Sequence, residues 1–92
     1  MSRRIGVVGI VIENPRPVAE KINAVLSEYS HVITGRMGIP RYEENVSVIA
    51  LIIEGTTDEV GAMTGKLGSL PGIIVKSALT KKVTHKGEGS ND

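Results

Sequence analysis

The segment Val46–Ile53, VSVIALII, decides the fold because it is the clearest β-strand in the sequence. It is rich in β-branched residues, and Gly55 closes it. Three other segments have the same character: Ile5–Ile12 (IGVVGIVI), His31–Ile39 (HVITGRMGI) and Ile73–Leu79 (IIVKSAL). Each is short, apolar and bounded by turn residues, although glycines weaken the second one. We therefore predict four strands, of which Val46–Ile53 is the third.

Two helices are predicted in the intervals between these strands. Asn14 can cap the first helix, and Pro15 suits its first position, where a backbone N–H has no partner. The second helix begins at Thr56, which has capping-box spacing to Glu59, and ends before Pro71. Each helix has one apolar face, formed by Val18, Ile22, Val25, Leu26 and Tyr29 in the first and by Val60, Met63, Leu67 and Leu70 in the second.

The element order is β-α-β-β-α-β, which is typical of a ferredoxin-like fold. Right-handed crossovers place both helices on one face of a four-stranded antiparallel sheet, with the first and third strands in its centre. We therefore predict the α+β class and a single ferredoxin-like βαββαβ domain over residues 1–83. The polar, glycine-rich segment Thr84–Asp92 is predicted to be a mobile tail.

The composition excludes several classes of function. Lys and Arg number 11 against 10 Asp and Glu, so the net charge of +1 gives no general attraction to nucleic acid or to acidic membranes. The central strands carry no aromatic residue, which argues against RNA recognition. The absence of cysteine excludes disulfides, thiolate catalysis and cysteine-based metal sites. No apolar run approaches the roughly twenty residues of a membrane span, and we expect a cytoplasmic protein.

The central strands are apolar on both faces, although two helices can cover only one face of a sheet. On the third strand Val46, Val48, Ala50 and Ile52 alternate with Ser47, Ile49, Leu51 and Ile53, and on the first strand Ile5, Val7 and Val11 alternate with Val8, Ile10 and Ile12. A large exposed apolar patch is uncommon on a soluble monomer. We therefore predict that this second face joins copies into a homodimer or homotetramer. A different protein partner or the folded-back tail are the alternatives.

Three glycines of the second helix, Gly61, Gly65 and Gly68, share one side. Each costs up to about 1 kcal/mol relative to alanine in a helix interior, so another interaction is expected to offset that cost. Close packing of the helix on the sheet is the explanation we favour. Close approach of a ligand or of another subunit is the alternative.

The candidate ligand-binding residues are Arg36, His31, Gly35, Gly38 and Asn14. Arg36 could bind a carboxylate or phosphate through its planar guanidinium, although such an arginine is otherwise solvated or paired with an acid. His31 is predicted to begin the second strand. No metal site is expected, because there is no cysteine and the only other imidazole lies in the predicted tail. A site within one chain would need Asp, Glu or backbone ligands, and a site that bridges subunits through His31 stays open. No catalytic set of residues is recognisable, so we expect no enzyme.

Three longer segments resemble one protein family: Arg4–Pro15 (RIGVVGIVIENP), Ser27–Pro40 (SEYSHVITGRMGIP) and Ser47–Leu79. They are similar to the small regulators assigned to the iron-only hydrogenase system, and the resemblance runs from about Arg4 to Lys81. That family is similar in fold to ACT domains and to the C-terminal sensing domain of the nickel-responsive repressor. The likeness to ACT domains is visible at LGSLPGI, where a helix passes through Pro-Gly into the last strand.

The resemblance implies a non-enzymatic regulatory domain of ACT-like fold that senses a small effector or metal at a subunit interface. Its implied partners are further copies of itself, a small-molecule effector and a hydrogenase-system protein, whereas a cofactor cannot be named. The nickel site of the repressor uses His and Cys ligands and does not transfer to a chain without cysteine. No ribbon–helix–helix segment precedes Arg4, so any transcriptional role would need a partner chain or be indirect. Together with the charge balance and the missing aromatic residues, this leads us to expect no direct DNA or RNA binding. The alternative is an adaptor in metalloenzyme maturation that binds a protein without any small ligand.

Overall fold

The structure is a computed structural model that describes residues 3–80, except for the side chain of Tyr42. Its strands are β1 (Arg4–Glu13), β2 (Ile33–Arg41), β3 (Val46–Gly55) and β4 (Ile73–Leu79), and its helices are α1 (Ala19–Glu28) and α2 (Thr57–Gly68). The strands form one antiparallel sheet in the order β2-β3-β1-β4. The predicted ferredoxin-like βαββαβ fold, with its first and third strands in the centre, is therefore confirmed. The predicted domain end at residue 83 and the tail over residues 84–92 lie outside the described residues.

The core lies between the sheet and the helices. Its largest fully buried side chains are those of Val8, Ile10, Val32, Leu51, Ile53, Met63 and Leu67. Register explains which strand residues take part, because Val8 pairs with Leu51 and both therefore point toward the helices. The intervening residues of β1 and β3 point the other way, to a face that no helix within residues 3–80 covers. None of the helices in this part of the chain is long and apolar enough to cross a membrane.

Strand β2 begins and ends later than the sequence predicts. After α1 the chain forms a tight turn, in which the N–H of Val32 donates to the carbonyl of Tyr29 at 2.9 Å. His31 lies in this turn, so the prediction that it begins the second strand is wrong. The strand then continues through Pro40 because β2 is an edge strand, where a residue without an N–H breaks no ladder between two neighbours.

The turn after β1 is joined to the turn before β3 by two asparagines. Asn14 has a φ of 54° and Asn45 a φ of 57°, a left-handed conformation that asparagine tolerates better than most residues. The N–H of Asn14 donates to the carbonyl of Asn45 at 2.9 Å, and Nδ2 of Asn45 donates to Oδ1 of Asn14 at 3.1 Å. The predicted helix cap at Asn14 is wrong, because Pro15 occupies the cap position of the short 3-10 helix Arg16–Val18 without a side-chain bond.

Helix α2 begins with the predicted capping box. The N–H of Glu59 donates to the hydroxyl of Thr56 at 3.1 Å, and the N–H of Thr56 donates to the carboxylate of Glu59 at 2.9 Å. The glycines of this helix do not have the close contacts that the favoured explanation requires. A Cβ placed on Gly61, Gly65 or Gly68 would meet no atom within 4 Å. The prediction of close packing on the sheet is therefore wrong, whereas an approaching ligand or subunit stays a prediction.

Candidate functional site

The face of the sheet opposite the helices is apolar and exposed. Its large side chains are 41–66% exposed and come from all four strands: Ile5, Val7, Met37, Ile39, Val48, Ile52 and Ile74. Strand pairing places them side by side, because Val7 pairs with Ile52 and Ile39 pairs with Val48. We call this surface the open sheet face. Contiguous apolar surfaces of this kind are typical of interaction sites.

The centre of the open sheet face is lower than its surroundings because two of its side chains are small. Gly9 of β1 lies between Ala50 of β3 and Lys76 of β4, and Ala50 also pairs with Met37 of β2. Met37 is 66% exposed, more than any other large apolar side chain among the described residues. A Cβ on Gly9 would meet only the carbonyl oxygen of Lys76, at 3.9 Å. The fold therefore does not require a glycine there, and the described chain leaves the depression unfilled.

A second concave feature lies on the helix side, between α1 and the edge strand β2. It has a volume of about 280 Å³. We call it the α1–β2 groove, and its principal lining residues are Ile12, Ile22, Asn23, Arg36, Gly38 and Ile49. The three isoleucines belong to the core, so the groove reaches the core's edge. Its lining is mainly apolar, and its polar side chains are those of Asn23, Arg36 and Ser47.

Arg36 is the only charged residue among the described residues that line the α1–β2 groove. Its partner on β3 is Leu51, whose side chain lies in the core, so Arg36 also points to the helix side of the sheet. There its Nη2 donates to Oδ1 of Asn23 on α1 at 3.1 Å. None of the ion pairs within residues 3–80 includes Arg36. The groove thus carries one cation, and that cation is held by a neutral partner.

The ligand-binding residues predicted from the sequence lie in different places. Arg36 and Gly38 line the α1–β2 groove. Gly35 lies on the opposite side of β2, where a Cβ would be 3.6 Å from the side chain of Ile52. Asn14 lies in the turn after β1, as described above. These positions are not contiguous, and the binding role of each residue stays a prediction.

Asn23 is the groove residue that the sequence did not indicate. It is an exposed position of α1, and nothing in its neighbours along the chain distinguishes it from any other polar helix residue. Its proximity to Arg36 arises only when α1 packs beside β2. An amide that faces an arginine across two elements has no signature at a fixed sequence spacing, so only the structure could have found it.

His31 lies away from the groove, in a polar cluster at the start of α2. Its Nε2 is 3.3 Å from Oε2 of Glu59, and its ring stacks on Tyr29 with the centroids 6.3 Å apart. The pKa of Glu59 is lowered, chiefly because its carboxylate accepts the backbone N–H of Thr56; the Thr56 hydroxyl and His31 add to this effect, and desolvation opposes it. Residues 3–80 contain no group of three His, Cys, Asp or Glu residues that could hold a metal ion.

Acid should weaken the cap of α2 through Glu59. Because its folded-state pKa is depressed, the ionised carboxylate contributes stability above its ordinary pKa, and that contribution is lost as the pH falls through the lowered value. We expect Glu59→Gln to reduce stability at neutral pH and to flatten its dependence on pH in the acidic range. Urea unfolding at a series of pH values measures both effects, with Glu20→Gln on the exposed side of α1 as the control. An unchanged pH dependence in Glu59→Gln would contradict this role of the carboxylate.

Comparison with known proteins identifies the family. Residues 4–77 match the model of the TM1266-like proteins, a family described as regulators of the iron-only hydrogenase system. The chain belongs to the TM1266-like family. Its sequence is 34% identical to that of the uncharacterized protein TM1266 from Thermotoga maritima, whose structure it resembles with a TM-score of 0.81 over 86% of this chain and 99% of that chain. No curated protein matches the sequence. The resemblance to this family inferred from the sequence is therefore confirmed.

Two further solved structures share the fold of this TM1266-like chain at lower identity. The ACT domain of GTP pyrophosphokinase from Chlorobium tepidum is 17% identical, with a TM-score of 0.63 over 96% of this chain and 98% of that domain. A PII-like signalling protein from Thermus thermophilus is 12% identical, with a TM-score of 0.60 over 87% of this chain and 90% of that protein. These likenesses show the fold, which is ACT-like as expected.

Proposed function

We propose that this TM1266-like protein is a cytoplasmic, non-enzymatic regulatory domain of an iron-only hydrogenase system that works as a homo-oligomer and senses a small effector. The family assignment supports the regulatory role. One structural observation carries the rest, namely the open sheet face, which leaves large apolar side chains from all four strands in contact with water. Covering such a surface is favourable at about 25 cal/mol per Å² of apolar area. A second copy is the occupant that the shape and charge of the surface favour.

The open sheet face is large enough for an interface between copies. Its four strands lie about 4.8 Å apart and have 10, 9, 10 and 7 residues of about 3.4 Å each, which gives roughly 600 Å² in projection. A stable interface buries about 800 Å² of accessible surface on each partner. Because the accessible area of a surface with protruding side chains exceeds its projection, this one face can supply an interface of the usual size.

The distribution of charge on the open sheet face also supports a second copy. Its centre is apolar, whereas Lys76 lies on the edge strand β4, and Glu13, Glu54 and Arg41 lie near strand ends. An apolar centre with a polar rim is the usual anatomy of a protein interface. A two-fold interface must also be self-complementary, and this face has both a protruding Met37 and a depression at its centre. We place the dimer contact there.

Sensing, in this proposal, is a change in assembly. An effector that binds one assembly state better than another shifts the equilibrium by no more than its difference in affinity for the two states. The α1–β2 groove is the candidate binding site, because it combines an apolar lining with the Arg36 guanidinium. The groove lies on the opposite side of β2 from the open sheet face, so one strand serves both.

Light scattering over a range of protein concentration tests the proposed assembly. We expect the purified full chain to have the mass of two or four copies, given a chain mass of 9.8 kDa. A particle of 9.8 kDa at every concentration up to about 1 mM would contradict the proposal, because the free energy of association would then be less favourable than about −4 kcal/mol.

A thermal-shift screen tests the sensing, since an effector that binds the folded state raises the melting temperature by mass action.

A further inference from the structure

We propose that the α1–β2 groove binds a small monocarboxylate with a short aliphatic tail, and that Arg36 anchors its carboxylate. This ligand class specifies the effector of the proposed function, and the ligand's role as a regulatory effector rests on that proposed function. The binding site itself stands on separate observations. These concern the apolar opening beside Gly38, the state of the Arg36 guanidinium and the charge balance of the groove.

Gly38 opens the groove to the core. It pairs with Ile49, which is 8% exposed, whereas Leu51 on the same side of β3 is fully buried. A Cβ on Gly38 would lie 3.8 Å from Cγ1 of Ile49 and 4.0 Å from the carbonyl oxygen of Val48, which are ordinary contact distances. The strand therefore tolerates a larger residue, and the glycine leaves an apolar opening over the core that an aliphatic tail can fill.

Arg36 is available for a carboxylate. A guanidinium has five N–H donors in a planar fork, and the bond to Oδ1 of Asn23 uses one of them. If a ligand carboxylate replaces the Asn23 amide as the partner of Arg36, no ion pair of the described residues is broken. The new contact is charge-assisted and bidentate. None of the side-chain hydrogen bonds within residues 3–80 includes the hydroxyl of Ser47, a half-buried lining residue, which supplies a further donor.

The charge and size of the groove select among anions. One cation among the described lining residues balances one negative charge, so a monocarboxylate is matched, whereas a phosphate monoester would bring a second charge without a partner. The volume of about 280 Å³ lies at the lower limit of small-molecule pockets, which favours a ligand with only a few carbon atoms. Ile39 and Val48 also line the groove, although their side chains point to the open sheet face, so an occupant would contact the strands of the proposed interface.

Titration of the isotope-labelled full chain with isovalerate, followed by amide NMR shifts, tests the site. We expect saturable shifts at residues 23, 36 and 38, and a dissociation constant in about the millimolar range. Arg36→Met, which keeps the aliphatic stem but removes the charge, should weaken binding roughly tenfold or more. Gly38→Val should weaken it as well because its side chain occupies the opening. Arg16→Met is the matched control, since Arg16 is exposed and lies outside the groove, and it should bind like the wild type.

Two related ligands define the class. Isovaleramide has the same shape without the charge and should bind at least tenfold more weakly, and isobutyl phosphate should also bind more weakly than isovalerate. The proposal is overturned if isovalerate gives no saturable shift up to about 20 mM, if Arg36→Met binds it unchanged, or if the phosphate binds more tightly. Isovalerate binding to a chain that stays monomeric would leave this inference standing while the assembly proposal fails. If the protein is an oligomer that does not bind isovalerate, the assembly proposal stands and this inference fails.

Discussion

Replacement of Ile52 by lysine should convert the protein to a monomer without unfolding it. Ile52 lies on the central strand β3 of the open sheet face, beside Val7, and is 46% exposed in the single chain. A lysine at this position is solvated in the monomer, whereas assembly would bury its ammonium group against apolar side chains. An unpaired buried charge costs about 3–5 kcal/mol. Because about 1.4 kcal/mol corresponds to a factor of ten, association should weaken by about 100-fold or more.

A lysine introduced on the other side of the sheet provides the control. Ser77 of β4 is exposed and pairs with Val8, whose side chain lies in the core, so Ser77 is on the helix side. Ser77→Lys should therefore keep the wild-type mass in light scattering, while Ile52→Lys has the monomer mass. Circular dichroism should show the wild-type content of secondary structure in both variants. If Ile52→Lys assembles with wild-type affinity, the open sheet face is not the interface.

The arrangement of helices and strands could be predicted because the physical signals are local. Alternation along Val46–Ile53 and the helical spacing from Val18 to Tyr29 each depend on neighbours within a few residues. Right-handed crossovers then leave few topologies for four strands and two helices. The same alternation indicated that β1 and β3 have a second apolar face, which the exposure of Val7 and Ile52 bears out.

The ends of β2 and the conformation of the turn at Asn14 could not be predicted, because they depend on partners far along the chain. Asn14 takes a left-handed conformation together with Asn45, to which it is joined by two hydrogen bonds. The bond between Arg36 and Asn23 likewise exists only after α1 packs beside β2. The α1–β2 groove was therefore visible from the sequence only as the single residues Arg36 and Gly38, and their place around one concavity required the fold.

The glycines of β1 illustrate the same limit, because Gly6 and Gly9 look alike in the sequence but have different surroundings. A Cβ on Gly6 would overlap the carbonyl oxygen of Ala78 and lie 2.6 Å from Cδ2 of Leu79, so β4 would have to move. A Cβ on Gly9 would meet nothing closer than 3.9 Å. Only the pairing of β1 with β4 distinguishes a glycine that the fold needs from one that it does not.

Gly6→Ala should therefore destabilise the protein by about 3 kcal/mol, since the added methyl group forces a backbone shift in a packed sheet. Gly9→Ala is the matched control and should stabilise the single chain by about 0.5 kcal/mol, because alanine loses less conformational freedom on folding. Urea unfolding at one fixed protein concentration measures both, as assembly shifts apparent stability by mass action. Equal midpoints would contradict the assigned pairing of β1 with β4. If Gly9→Ala is less stable than the wild type by an amount that grows with protein concentration, the methyl group disturbs the contact between copies. That is where the depression in the open sheet face is proposed to be filled.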